Sequence, residues 1–225
     1  MNTELFTGKA EQYANARPGY PTEAIDYICS LVSSDAVFAD IGAGTGIFTQ
    51  EIAKRGYTIS AVEPNSDMLE QLAITLKPYS TANIISAPAE ATTLSDKSVD
   101  IIICAQALHW FDLALFDKEC RRIGKPGVVV AAVYNNTPGG DSVTHSQFST
   151  DVFFKNPTIK EFSNPIFYTR EKWISYMSSH SHNPLPTDPR YEEHIATVNA
   201  QFDDENIEGL LRRDVVTTVY FEKWD

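Results

Sequence analysis

Short apolar runs alternate with helix-spaced apolar positions over the first 134 residues of the chain. Five runs have the nearly continuous apolar character of strands covered on both faces: AVFADI (36–41), YTISAV (57–62), NIISA (83–87), VDIIICA (99–105) and GVVVAAVY (127–134). Apolar residues three or four positions apart predict a helix before the first run and in three of the four segments between runs. This alternation is typical of a parallel sheet with helices on both faces.

The last part of the chain, residues 135–225, is rich in Phe, Tyr, Trp, Ser and Pro. Helical spacing is found near 171–179 and near 191–202, and VVTTVYF (215–221) is a candidate for a late strand. No linker separates this part from the sheet, so we expect it to complete one domain and to cover the ligand site. Ligands of such sheets bind beyond the carboxyl ends of the strands. These ends are predicted at 40–46, 63–65, 87–90 and 105–111.

Charge and composition narrow the possible partners. The 18 Lys and Arg residues are outnumbered by 30 Asp and Glu, which gives a formal net charge of −12 and disfavours a nucleic-acid partner. The three cysteines are far apart in the sequence and are expected to be reduced thiols. The start of the chain resembles no signal peptide, and no window approaches 18 apolar residues. We therefore expect a cytoplasmic protein, monomeric or homodimeric, without a membrane partner.

The glycine-rich stretch DIGAGTG (40–46) raises the question of its ligand. A triphosphate loop needs Gly-Lys-Ser/Thr, but Ile47 follows the last glycine and no lysine occurs before Lys54. The glycines lie at positions one, three and five, not at one, three and six as in dinucleotide sites, and Asp40 would repel a pyrophosphate. Asp40 suits an ammonium or sulfonium group, and Glu63 can accept hydrogen bonds from both ribose hydroxyls. A ribose joined to a cationic amino acid describes S-adenosylmethionine.

Several motifs carry a family resemblance. Residues 37–46, with Glu63-Pro64, resemble the first two motifs of class I S-adenosylmethionine-dependent methyltransferases. Ala89-Glu90 is similar to the adenine-side motif of that family, and SVDIIICAQALHWFD (98–112) is similar to its fourth motif. YANARPGYP (13–21) resembles the N-terminal segment of a small-molecule subgroup that includes trans-aconitate methyltransferase-like proteins. The resemblance spans nearly the whole chain.

The resemblance implies a fold and a domain layout. The fold is a Rossmann-like, doubly wound α/β fold with a mostly parallel seven-stranded sheet, an antiparallel edge strand and a helical cover. Within a single methyltransferase domain over residues 1–225, residues 1–20 would form an N-terminal lid, 21–134 the cofactor-binding core, and 135–225 the substrate-side cover with the last strands. We expect the lid to close over bound cofactor, with Tyr20 near the acceptor.

The resemblance also implies roles for individual residues. The residues expected to bind S-adenosylmethionine are Tyr13, Arg17, Asp40, Gly42, Ala43, Gly44, Glu63, Pro64, Asn65, Met68, Ala89, Glu90, Gln106 and Ala107. Some of these have simpler alternatives. Asp40 could accept hydrogen bonds from loop amides, Met68 could be core packing, and Arg17 and Glu90 could be ordinary surface charges.

His109, at the end of the fourth strand, is the candidate catalytic base, and a structural histidine is the alternative. No cysteine or carboxylate accompanies His180 and His182, so no metal site is expected. The predicted function is methyl transfer from S-adenosylmethionine to a small-molecule acceptor, with a carboxylate or hydroxyl oxygen favoured. Two alternatives stay open: a regulatory or scaffold protein that binds S-adenosylmethionine or S-adenosylhomocysteine without turnover, and an NAD-dependent oxidoreductase.

Overall fold

The computed structural model describes residues 17–137, 142–180, 183–184 and 186–225. Within these residues the helices are α1 (Thr22–Cys29), α2 (Thr49–Lys54), α3 (Ser66–Leu76), α4 (Leu113–Ile123), α5 (Ser142–Phe153), α6 (Arg170–Ser178) and α7 (Tyr191–Glu205). The strands are β1 (Val37–Ile41), β2 (Thr58–Val62), β3 (Ala82–Ile85), β4 (Val99–Ala105), β5 (Gly124–Asn136), β6 (Thr158–Tyr168) and β7 (Leu211–Trp224). A short 3-10 turn, Leu108–Trp110, follows β4.

These strands form one seven-stranded sheet in the order β3-β2-β1-β4-β5-β7-β6. The first five strands pair in parallel, and β7 runs antiparallel to both β5 and β6. The predicted fold class is therefore confirmed. The antiparallel strand β7 lies one position in from the edge, because β6 pairs with its outer side.

The central strands are buried on both faces, as their apolar runs predict. Ile101 and Ile103 of β4 belong to one core cluster, together with apolar residues of α1 and α2. The residues between and after them, Ile102 and Cys104, belong to the other cluster, together with residues of α4 and α5. Successive side chains of a strand point to opposite faces of a sheet, so an uninterrupted apolar run fills two cores at once.

The last part of the chain differs most from the prediction. The two helical patterns correspond to α6 and α7, and the late strand extends from residue 211 to 224. Helix α5 and strand β6 were not predicted. Strand β6 is an edge strand with mostly exposed residues and a proline, Pro165, so it lacks the apolar run that marks a buried strand.

Helices α6 and α7 form the predicted cover and have a small core of their own. Trp173 of α6 packs with Val198 and Phe202 of α7 and with Tyr168 and Leu211, at the end of β6 and the start of β7. This cover is inserted between the two strands, so its position depends on their antiparallel pairing. Among the described residues, no helix combines the length and the apolar character needed to cross a bilayer.

Candidate functional site

The glycine loop follows β1 and turns at the carboxyl ends of the sheet. The amides of Gly42 and Ala43 both donate to the carbonyl of Val62, the last residue of β2. Gly42 has φ +73°, and a Cβ there would lie 2.8 Å from the Cβ of Ala107, so only glycine fits. Gly44 also has a positive φ, of +56°, but a Cβ there would meet nothing within 4 Å. The loop is therefore packed tightly at its base and open at Gly44.

Glu63 connects this loop to the next strand end. Its side chain is 7% exposed, and its two oxygens accept hydrogen bonds from the backbone amides of Gly44 and Asn65, each at 2.9 Å. Burial raises the pKa of Glu63, and the two amide donors partly oppose that rise. Each carboxylate oxygen can accept more than one hydrogen bond. Glu63 can therefore orient the loop and still accept hydrogen bonds from a ligand.

Asp40 is completely buried at the end of β1. The hydroxyl of Thr49 donates to Asp40 Oδ2 at 2.6 Å, whereas Oδ1 has no hydrogen-bond partner among the residues that the structure describes. Burial raises the pKa of Asp40 from 3.8 to about 7, and the nearby negative charge of Glu63 adds to that rise. Two neighbouring buried carboxylates, one with an unpaired oxygen, form a site that suits a cationic ligand with hydroxyl groups.

A cleft with about 1050 Å³ of empty space, partly open to solvent, lies beyond these strand ends. We call it the strand-end cleft. Ten of the residues expected to bind cofactor line it: Arg17, Asp40, Gly42, Ala43, Gly44, Glu63, Asn65, Met68, Gln106 and Ala107. Asn65 also caps α3, because its side-chain oxygen accepts a hydrogen bond from the Met68 amide at 3.0 Å. The open side of Gly44 and the unpaired oxygen of Asp40 both fit a bound S-adenosylmethionine.

Of the four remaining expected site residues, the three that the structure describes do not line the cleft. Tyr13 is outside the described residues. Pro64 does not line the strand-end cleft, and Ala89 is a buried member of one core cluster. Glu90 accepts a hydrogen bond from the Asp112 amide at 2.9 Å, so it holds the loop before α4.

His109, the predicted base, is not among the residues that line the cleft. Its ring packs against Trp110 and Tyr134, with centroid distances of 4.8 and 6.0 Å. The side chain that lines the cleft from this turn is Trp110. A catalytic role for His109 stays a prediction.

Sequence reasoning did not assign several other residues of the cleft. These are Thr45, Ile47, Phe48, Ala105, Phe111 and Asn135. Pro18 and Tyr20 lie in the predicted lid, Tyr176 lies in the predicted cover, and Trp110 lies in the stretch similar to the fourth motif. Asn135 could have been found, because it lies at the carboxyl end of β5, where the strand-end rule places ligand contacts. Tyr176 lies on α6, in the part of the chain that was expected to cover the ligand site, and it lines the cleft from there.

Comparison with known proteins finds methyltransferases. The methyltransferase domain family matches residues 39–132, which contain the glycine loop, Glu63 and β4. An uncharacterized methyltransferase of Mycobacterium tuberculosis is 38% identical over 130 residues, or 58% of this chain and 51% of that protein. A methyltransferase-like protein of Schizosaccharomyces pombe is 33% identical over 138 residues, or 60% of this chain and 53% of that protein. The chain spans about half the length of these relatives.

Solved structures share the fold. The YcgJ protein of Bacillus subtilis superposes with a TM-score of 0.59 at 17% identity, covering 91% of this chain and 99% of that chain. The geranyl diphosphate C-methyltransferase of Streptomyces coelicolor, in complex with S-adenosyl-L-homocysteine, superposes with a TM-score of 0.52 at 12% identity, covering 91% and 76%. Residues 39–132 therefore match the methyltransferase domain family, and the chain as a whole shares the fold of these solved structures.

Proposed function

We propose that the protein transfers the methyl group of S-adenosylmethionine to a small-molecule acceptor by in-line displacement. The observation that carries the proposal is the pair of buried carboxylates, Asp40 and Glu63, on either side of a glycine loop that lines the strand-end cleft. An ammonium group would offset the cost of an ionised Asp40, and two ribose hydroxyls would use the remaining acceptor capacity of Glu63. Asn65 and Met68 would flank the adenine.

The bound cofactor supplies an activated methyl group, because its sulfonium is already a strong electrophile. The work left to the chain is to bind both reactants, align them and exclude water. Alignment of two bound reactants can contribute on the order of 7–11 kcal/mol at best. Tyr20, Trp110 and Tyr176 line the cleft and provide apolar walls for this purpose.

The acceptor that the cleft favours is a carboxylate oxygen. A carboxylate is nucleophilic without loss of a proton, whereas a hydroxyl acceptor needs a base, and His109 does not line the cleft. Arg17 provides a cation in this region, with its guanidinium carbon 5.5 Å from the centre of the Tyr176 ring. Arg17 can bind the methionine carboxylate of the cofactor or, from the same position, an anionic acceptor. Membership of the trans-aconitate methyltransferase-like subgroup is part of this proposal.

Binding without turnover is the second candidate, and the position of His109 outside the cleft lining is the observation that favours it. Calorimetry with S-adenosylhomocysteine tests the binding that both candidates require. Thermal shifts with NAD serve as the specificity control. Methyl-labelled S-adenosylmethionine, incubated with panels of small carboxylic acids and phenols, then separates the two. Labelled methyl esters of the acids or methyl ethers of the phenols support the enzyme, and tight binding with no labelled product from either panel supports the binding protein. Stabilisation by NAD and not by S-adenosylhomocysteine would contradict both.

A further inference from the structure

The carbonyl oxygen of Gly19 is held by two side-chain amides from different strands. Asn135 Nδ2, near the end of β5, donates to it at 3.1 Å, and Asn164 Nδ2 of β6 donates to it at the same distance. These two strands are not neighbours, because β7 lies between them. A single carbonyl of the N-terminal segment therefore ties together two strands that are two positions apart in the sheet.

Thr217 of β7, between the two asparagines, sets their orientation. Its hydroxyl donates to Asn135 Oδ1 and accepts from Asn164 Nδ2 at 3.2 Å. Because Asn135 Oδ1 is engaged by the hydroxyl, its NH₂ group is the end that faces Gly19. Thr217 is fully buried, and the backbone carbonyl of Asn135 accepts from Gln106 Nε2 at 3.2 Å. We call Asn135, Asn164 and Thr217 the amide clamp.

The segment held by the amide clamp forms one wall of the strand-end cleft. Arg17, Pro18 and Tyr20 all line the cleft, on both sides of the clamped Gly19. The Tyr20 ring also packs edge-on against Phe48, with centroids 5.2 Å apart. Asn135 lines the cleft itself, but Asn164 and Thr217 do not. Their side-chain hydrogen bonds connect these two residues to the cleft through Gly19 and Asn135.

We propose that Asn164 and Thr217 are positioning residues that hold residues 17–20 against the cleft and so set the affinity and residence time of the cofactor. The proposal rests on the proposed function. A segment that swings away from the cleft leaves the cofactor with fewer contacts, and the apparent affinity falls with the fraction of molecules in the closed form. The hydrogen bonds of the amide clamp are neutral. Loss of one of them changes the equilibrium constant between the closed and open forms of the segment by a factor of about 2 to 12.

The test compares S-adenosylhomocysteine binding by the parent chain, Asn164→Ala, Asn164→Asp and Thr217→Val. Asn164→Asp keeps the size of the side chain but places an oxygen opposite the Gly19 carbonyl, so repulsion replaces attraction. Ser163→Ala is the matched control, because Ser163 is the exposed neighbour on the other face of β6. Thermal unfolding identifies the variants that fold like the parent chain.

We expect the dissociation constant to rise about 2- to 12-fold in Asn164→Ala and Thr217→Val, and further in Asn164→Asp, mainly through faster dissociation. Hydrogen exchange at the Gly19 and Tyr20 amides should be faster in the same variants without ligand. Ser163→Ala should match the parent chain in both measurements. Folded clamp variants that bind within 2-fold of a parent chain that itself binds would overturn the proposal and leave the proposed function intact. A parent chain that does not bind S-adenosylhomocysteine would instead overturn the proposed function, and this proposal with it.

Discussion

The buried carboxyl of Asp40 makes the stability of the protein depend on pH in a specific way. Its pKa is raised by burial from 3.8 to about 7 in the folded chain, so the folded state keeps a proton that the unfolded chain has lost. A group of this kind contributes stability that is fully present below pH 3.8 and is lost as the pH rises through about 7. Asp40→Asn removes the titration, because an amide stays neutral throughout.

The size of the effect follows from linkage. Because the pKa of Asp40 rises from 3.8 to about 7 on folding, raising the pH from 5 to 8 lowers the free energy of unfolding of the parent chain by roughly 3 kcal/mol. The Asp40→Asn variant lacks this titration, so its free energy of unfolding does not fall for this reason. A domain of this length changes its melting temperature by about 2–4 °C per kcal/mol. We therefore expect the melting temperature of Asp40→Asn, relative to the parent chain, to rise by roughly 6–12 °C from pH 5 to pH 8.

Thermal unfolding of both proteins at half-unit pH steps measures this difference directly. Glu70→Gln is the control, because Glu70 is an exposed carboxylate on α3. Its melting temperature should follow that of the parent chain at every pH. At pH 8, Asp40→Asn should also bind S-adenosylhomocysteine at least 10-fold more weakly, since the ligand ammonium loses its carboxylate partner. A difference in melting temperature that stays constant from pH 5 to pH 8 would show that Asp40 does not titrate in this range, and the reasoning would fail.

Three further predictions concern other residues. Glu63→Ala should weaken S-adenosylhomocysteine binding 100-fold or more in calorimetry, because two charge-assisted hydrogen bonds of about 1.5–3 kcal/mol each are lost; unchanged affinity in a folded variant would remove Glu63 from the site. Glu119→Gln should lower the free energy of unfolding in urea by about 1.5–3 kcal/mol, because Glu119 Oε1 accepts hydrogen bonds from Thr92 and from the Arg122 guanidinium. Ligand affinity should stay the same, and weaker binding would connect this network to the cleft. Gly42→Ala should impair both folding and binding, because its Cβ would lie 2.8 Å from that of Ala107; a melting temperature equal to that of the parent chain would contradict the close packing.

The amino-acid sequence by itself determined the central sheet and half of the site. Buried parallel strands need apolar residues on both faces, so β1, β2, β4 and β5 are visible as runs, and helical spacing marks the segments between them. The carboxyl ends of parallel strands meet at one edge of a sheet. Asp40 and Glu63, 23 positions apart in the sequence, could therefore be assigned to one ligand from the sequence alone.

The individual contacts in the outer half of the cleft were decided only by tertiary structure. Strand β6 is mostly exposed, its apolar and polar residues alternate only weakly, and it contains Pro165. Its local pattern is therefore that of a loop, and only pairing with β7 makes it a strand. That pairing brings Asn164 to Gly19, 145 positions away in the sequence, and the cover that follows β6 brings Tyr176 to the cleft. The raised pKa of Asp40 likewise arises from burial by the folded chain. Such features depend on which distant residues are brought into contact, and periodicity and motif spacing carry no information about those contacts.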